Sequence, residues 1–143
     1  MAALLAELGR PEALGTDREP ALRQVFERYL SRPDVAALVA EADGAVVGFV
    51  DLEFRTRLNF EAPQAWIPDL VVAQAERSRG AGRALLARAE ELARERGCWG
   101  MSLESATWRT RAHAFYLREG WMDTGKSFSK ALGDTPWPPA PRP

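Results

Sequence analysis

Apolar positions recur along this chain at two spacings, and the changes of spacing mark the elements. In "REPALRQVFERYLS" Leu22, Val25, Phe26, Tyr29 and Leu30 fall three and four residues apart, and Pro20 stands where a first helical turn tolerates it, so the segment predicts a helix with one apolar face. After Pro33 the period shortens. "VAALVAEADGAVVGFVDLEF" reads as two strands joined at Asp43-Gly44, a dipeptide that favours the tight turn of an antiparallel hairpin. "AWIPDLVVA" is short, apolar and β-branched, as a strand covered on both faces is. A glycine-rich turn follows, then a long helical pattern. Leu85, Leu86, Ala89, Leu92 and Ala93 make its apolar stripe, Arg83, Arg88, Glu90, Glu91, Arg94 and Arg96 mostly keep the other face in water, and Gly97 ends it. With "WGMSLES" as the next strand, Leu70 to Glu104 predicts a βαβ unit with two parallel strands. "TRAHAFYLREG" predicts a shorter helix ended by Gly120, and "WMDTGKSFSKAL" two further strands around Gly125. The opening "MAALLAELG" is itself helical. Alternating helices and strands of this kind place the chain in the α/β (α+β) class.

Composition narrows the function classes. A length of 143 residues suits one domain, assigned to residues 1–132, and the proline-rich "GDTPWPPAPRP" that follows, residues 133–143, reads as a loose tail. The 19 Lys and Arg nearly cancel the 20 Asp and Glu, leaving a net charge of -1, which argues against a nucleic-acid partner. Cys98 is the only cysteine, so the chain has no internal disulfide and no CxxC pair for structural zinc, and a reducing cytoplasm fits. No apolar run approaches the ~20 residues that span a bilayer, and the amino terminus lacks the basic start and apolar core of a signal peptide.

The chemistry concentrates in "ERSRGAGRALL". The first-turn N–H groups of a helix have no partner inside it and carry the positive pole of the dipole, so anions bind there. Gly80 and Gly82 remove side chains that would hold a diphosphate off the backbone, and Arg77, Arg79 and Arg83 add positive charge. A Walker loop is excluded because no Lys-Ser or Lys-Thr follows the second glycine, and the dinucleotide fingerprint would need a third glycine. On these residues alone the bland alternative stays open, in which the glycines tighten a turn and the arginines sit in water.

"LVVAQAERSRGAGRALLARAEELARERGC" followed by "AHAFYLREGW" resembles the two signature segments of the GNAT superfamily of N-acetyltransferases. That family's motif, an Arg or Gln, two residues, Gly, one residue, then Gly or Ala, falls here on Arg77, Gly80 and Gly82. "VAEADGAVVGFVDL" resembles the family's central hairpin and "TGKSFSKAL" its last strand, so the likeness runs from about Leu4 to Leu132. It implies a GNAT-like fold: a mixed, mostly antiparallel central sheet with a splayed central parallel strand pair, flanked by helices. It also implies acetyl-CoA as co-substrate. The pyrophosphate would lie on the backbone of Ser78, Arg79, Gly80, Ala81, Gly82 and Arg83, and the pantetheine arm beside Leu70, Val71 and Val72 like an added strand. The slot for that arm requires a bulge, which Pro68 supports because proline cannot donate a ladder bond; alternatively Pro68 only marks a strand start.

The resemblance implies direct transfer of an acetyl group to a primary amine, and three roles follow. The backbone N–H of Val72 would stabilise the carbonyl oxygen, and Tyr116, matching the tyrosine of the family's "FY" pair, would protonate the departing thiolate. For the base the family often has a glutamate where this chain has Pro68, which leaves Asp69 or Glu104. His113 is a minor candidate without metal-ligand companions, and Cys98 suits burial rather than nucleophilic catalysis. Two departures stand out. Arg109 occupies the family's usual Asn position, where it either reaches a CoA phosphate or faces water. A helix stands where members open with a β-strand, so either the recorded start is too late or the sheet exposes a different edge, and a homodimer covering that edge is open. Glu53, Glu61 and Trp66 are the candidate contacts for a cationic, partly apolar acceptor. A small-molecule amine such as an amino acid, polyamine or aminoglycoside is expected. A peptide or protein amino group, or a non-catalytic acyl-CoA-binding module, are the alternatives.

Overall fold

Asp43 and Gly44 both adopt positive φ, 49° and 75°, the pairing that a tight hairpin turn demands. They join β1 (Val35–Ala42) to β2 (Ala45–Arg55) in antiparallel register from Ala42↔Ala45 to Val35↔Glu53, with a one-residue shift between Ala40 and Glu41. The computed structural model describes residues 2–7 and 14–134, so the end of the expected tail, 135–143, lies outside the described residues. By its internal contacts the chain divides into two units, residues 1–103 and 104–143.

In the first unit, α1 (Ala2–Glu7) and α2 (Glu19–Leu30) precede the hairpin, with Pro20 in the first turn of α2 as expected. The stretch read as one strand is two: β3 (Gln64–Ile67) and β4 (Leu70–Val72). Both pair antiparallel with β2, yet in different registers. Glu53 faces Trp66, while Val50 faces Leu70, so the outgoing strand carries one residue more than its partner between the two pairings. Pro68 lies in that interval, and a residue with no N–H is well suited to an unpaired bulge position. The long helix α3 (Ala81–Glu95) leads to β5 (Gly100–Leu103), which runs parallel to β3 from Gln64↔Gly100 to Ile67↔Leu103. This corrects the expected βαβ unit: β5 pairs with β3, before the bulge, and among the described residues β4 pairs with β2 alone.

Strand alternation sorts the core into two faces. Phe49 and Val71 meet Leu4 of α1, and Asp51, two residues on, meets Tyr29 of α2. Gly48 points the other way, toward Leu85 on the stripe of α3 that also buries Leu86, Ala89 and Ala93. Gly97, at φ 70°, terminates α3. The apolar face expected for α2 is only partly used: Leu22 and Phe26 are half-buried, whereas Val25 is 50% exposed.

The second unit holds α4 (Thr110–Arg118), followed by Gly120 at φ 87°. The two strands expected around Gly125 do not form among the described residues; Phe128 and Leu132 are 91% and 95% exposed. A strand needs a partner for its N–H and C=O groups, and here 121–132 joins no ladder.

The closeness of α3 to β2 rests on Gly48. A Cβ there would stand 2.9 Å from Leu85 Cδ1, 3.3 Å from Ala40 Cβ and 3.3 Å from the Val71 carbonyl oxygen. Gly48→Val is therefore expected to destabilise the fold by about 1–3 kcal/mol, read as a lower urea midpoint at unchanged slope.

Candidate active site

The direction of the β4 backbone can be followed from its bonds. Asp51 N–H donates to the Asp69 carbonyl at 3.1 Å, and Ala73 N–H donates to the Val47 carbonyl at 2.8 Å, so the odd-numbered residues of this strand spend their backbone on β2. Leu70 and Val72 consequently direct theirs to the opposite edge, the one β5 has left. Arg77 Nε reaches the Val72 carbonyl from that side at 3.2 Å. Of the three residues expected along a pantetheine arm, Leu70 and Val72 thus present backbone to the slot. Val71 does not: it pairs with Phe49, and its side chain is in the core.

β4 runs through a short 3-10 turn at Gln74–Glu76 into the glycine loop. Ser78 has φ 71° and Gly80 φ 92°, two left-handed residues that turn the chain into α3. Nothing lies within 4 Å of a Cβ at Gly80, so glycine is required here by φ rather than by crowding. Gly80 is also the N-cap and offers no side-chain cap to the first-turn N–H groups of Ala81, Gly82 and Arg83, the feature an anion would use. The arginines contribute less than their number suggests. Arg77 pairs with Glu7 at 3.0 Å, and Arg79 with Glu76 at 3.1 Å. Glu7 Oε2 also accepts the Gln74 N–H at 3.1 Å, a contact no local pattern announces. The cradle is chiefly backbone.

The acceptor-side candidates are partly engaged. Glu53 lies 3.6 Å from Arg32 and 3.5 Å from Arg55, and the Arg55 guanidinium stacks 3.3 Å from the Trp66 ring centroid. Arg57 bonds the Gln64 side chain at 3.0 Å. Glu53 thus stands beside two arginines, and one of them, Arg32, is also held by Asp34 at 2.6 Å, so the carboxylate expected to meet a cationic acceptor already has cationic partners. Glu61 is exposed on the loop before β3.

The second unit carries Tyr116 on α4, its ring 5.4 Å from Phe115 and 5.9 Å from Trp121 by centroids. Burial pushes the phenol up, and the charge of Arg109 at the N-cap of the same helix pulls it down, with burial the larger effect. The hydroxyl therefore keeps its proton at neutral pH. Glu104 is exposed, with its carboxylate accepting the Ser127 hydroxyl at 3.1 Å, and His113 is half-buried on α4. Cys98 is half-buried and its thiol is pushed up by burial, in keeping with a packing role.

One group escaped the sequence reading. Asp51 is 3% exposed, its Oδ2 accepting the Tyr29 hydroxyl at 2.7 Å and its Oδ1 accepting the Asp69 N–H at 2.8 Å. Burial pushes its carboxyl up to about 6 against the opposing effect of these bonds, and nearby Asp69 adds to the rise. The available signal was an acid directly after the apolar run "VVGFV", two residues before Glu53.

Comparison with known proteins follows the same lines. A family model described as the acetyltransferase (GNAT) family matches residues 3–121. An aminoalkylphosphonate N-acetyltransferase of Salmonella typhimurium strain LT2 is 38% identical over 112 residues, covering 78% of this chain and 73% of the relative. A solved acetyltransferase structure from Agrobacterium tumefaciens str. C58 superposes with a TM-score of 0.78 at 25% identity, over 92% of this chain and 89% of the other. Glucosamine-6-phosphate N-acetyltransferase from Arabidopsis thaliana shares the fold at a TM-score of 0.78 and 18% identity, over 93% and 89%.

A carboxyl that holds its proton more tightly when folded contributes stability below its unfolded pKa, and loses it as pH rises through the folded value. For Asp51 that window runs from the ordinary 3.8 to about 6. The unfolding free energy of Asp51→Asn should therefore improve relative to the wild type across this window, by up to about 3 kcal/mol, and then level off above about pH 7. Urea titrations across that range check it; a flat difference would place Asp51 outside the buried, charge-penalised class.

Proposed function

Because the chain belongs to the GNAT family of acetyltransferases, which use acetyl-CoA, we propose that it transfers an acetyl group from acetyl-CoA directly to the primary amine of a small molecule. The observation that carries this reading is the open β4 edge at Leu70 and Val72, continuous along the chain with the uncapped start of α3. Acetyl-CoA would supply the acetyl group in activated form, as a thioester. Backbone from Ser78 to Arg83 would hold the pyrophosphate, with Arg77 and Arg109 as flanking cations, and Leu70 and Val72 would bond the amides of the pantetheine arm. The Val72 N–H is assigned to the thioester carbonyl oxygen, where a fixed donor counts most as charge develops. Tyr116, kept protonated by burial, gives its proton to the departing sulfur. Asp69 or Glu104 takes the amine's proton.

In this reading residues 1–132 work as one acetyltransferase domain, 133–143 form a tail, and the protein is cytoplasmic. Among small amines, one that also bears an anionic group is favoured. Arg55, stacked on Trp66, offers it a cation, and the Salmonella relative is named for an aminoalkylphosphonate.

Acetyl-CoA at about a hundred times its Kd should add roughly 2.7 kcal/mol of stability, visible as a clear rise in Tm. Gly82→Glu, which puts bulk and negative charge at the start of α3, should keep the fold and lose that rise. No rise with the wild type at millimolar cofactor would withdraw the assignment. Tyr116→Phe should lower kcat about a hundredfold while leaving the acetyl-CoA-induced rise in place. If turnover were unchanged, Tyr116 would leave the mechanism; if the wild type showed a rise but no transfer to any amine, the chain would be an acyl-CoA-binding module.

A further inference from the structure

Asp51 does something at the bulge that no ladder bond does. It exchanges one backbone bond and one side-chain bond with the same residue: its N–H donates to the Asp69 carbonyl at 3.1 Å, and its Oδ1 accepts the Asp69 N–H at 2.8 Å. Peptide units are planar and trans, so the C=O and N–H of one unit point in opposite directions. Anchoring the Asp69 carbonyl on β2 therefore aims the Leu70 N–H at the open edge, and anchoring the Asp69 N–H fixes the preceding unit, which Pro68 shares. The carboxylate thus locks the second of two adjoining peptide planes at the point where β4 departs from β5. Its other oxygen is held by Tyr29 from α2 at 2.7 Å, which fixes the carboxylate's own orientation.

We propose that Asp51 is a positioning residue for acyl transfer, its Oδ1 holding the Pro68–Asp69 peptide so that the Leu70 and Val72 N–H groups keep their aim into the slot. The proposal rests on the acetyl-transfer reading above. Asp51 acts here as a hydrogen-bond acceptor, not as the proton acceptor of the reaction, because both its oxygens are already occupied and the side chain is almost fully covered.

The test compares the wild type with Asp51→Ala and Asp51→Asn in the full chain. Three quantities are read: kcat and KM with aminoethylphosphonate as acceptor, the acetyl-CoA-induced rise in Tm, and ligand-free hydrogen exchange of the amides from 66 to 72. Asp51→Ala should lower kcat about tenfold to a hundredfold through misplacement, with KM and the Tm rise nearly unchanged. Exchange at the Asp69 amide, whose N–H the carboxylate accepts, should accelerate about tenfold or more in the same variant. Asp51→Asn keeps an acceptor oxygen and should restore both kcat and slow exchange to within about threefold of the wild type. An asparagine variant with slow exchange but the alanine variant's kcat would make the carboxylate a base and overturn the proposal, as would a fully active alanine variant. If Asp51→Ala does not fold, the asparagine variant decides by the same two readings. A wild type whose Tm ignores acetyl-CoA would fail the acetyl-transfer reading instead, with the exchange comparison still judging the lock.

Discussion

The architecture of the first unit depends on one uncompensated residue. Between the Glu53↔Trp66 and Val50↔Leu70 pairings the outgoing strand has one residue more than β2, and a side-chain period of two cannot absorb an odd insertion without a break. Pro68 sits in the break and has no N–H to offer a neighbour on either side. Among the described residues, β3 before it has two strand partners, β2 and β5, and β4 after it retains β2 only. An edge is created in the middle of a sheet. Elsewhere such an edge would be a pairing hazard, but an extended ligand with its own amides can occupy it as a strand would.

Keeping that break in one shape has a cost that the structure meets locally. Burying a carboxylate is unfavourable, and the upward push on Asp51 to about 6 measures how incompletely its two hydrogen bonds compensate. A leucine or valine at the same place would pack without that penalty. It would also leave the Asp69 N–H without an acceptor next to a proline that already breaks the ladder, and an unmet buried donor costs about as much as the burial it avoids. The polar trio of Tyr29, Asp51 and Asp69 therefore belongs to the bulge rather than to the general stability of the core.

What could be read from the residues alone divides by range. The Asp43-Gly44 turn, the α3 stripe from Leu85 to Ala93, its Gly97 stop and the glycine loop are all specified by neighbours within a few positions, and each stands where it was expected. A break at Pro68 was also legible, since proline's missing donor is a local fact. Which half of the strand keeps β5 was not, because that depends on a register with Gly100–Leu103, about thirty residues further along the chain. Asp51 was missed for the same reason. Alternation marks it as one polar position in a strand, and only Tyr29 of α2 and the Asp69 N–H make it a buried hinge-pin. The strands expected near Gly125 show the converse: a β-like pattern without a partner stays irregular.

The glycine loop carries the same lesson about charge. Counting Arg77, Arg79 and Arg83 suggests a strongly basic cradle, yet Arg77 is already paired with Glu7 and Arg79 with Glu76. Exposed pairs of this kind are worth about 0–1 kcal/mol, so a diphosphate can displace them at little cost and gains little net attraction from them. What a carboxylate cannot supply in exchange is a donor, and what the loop offers without competition from its own N-cap is a set of converging backbone N–H groups at the start of α3. In the proposed reading, selectivity for a diphosphate would come from the turn geometry at Ser78 and Gly80 more than from net charge, and that geometry, with Gly80 at φ 92°, requires a glycine although the space around it is empty.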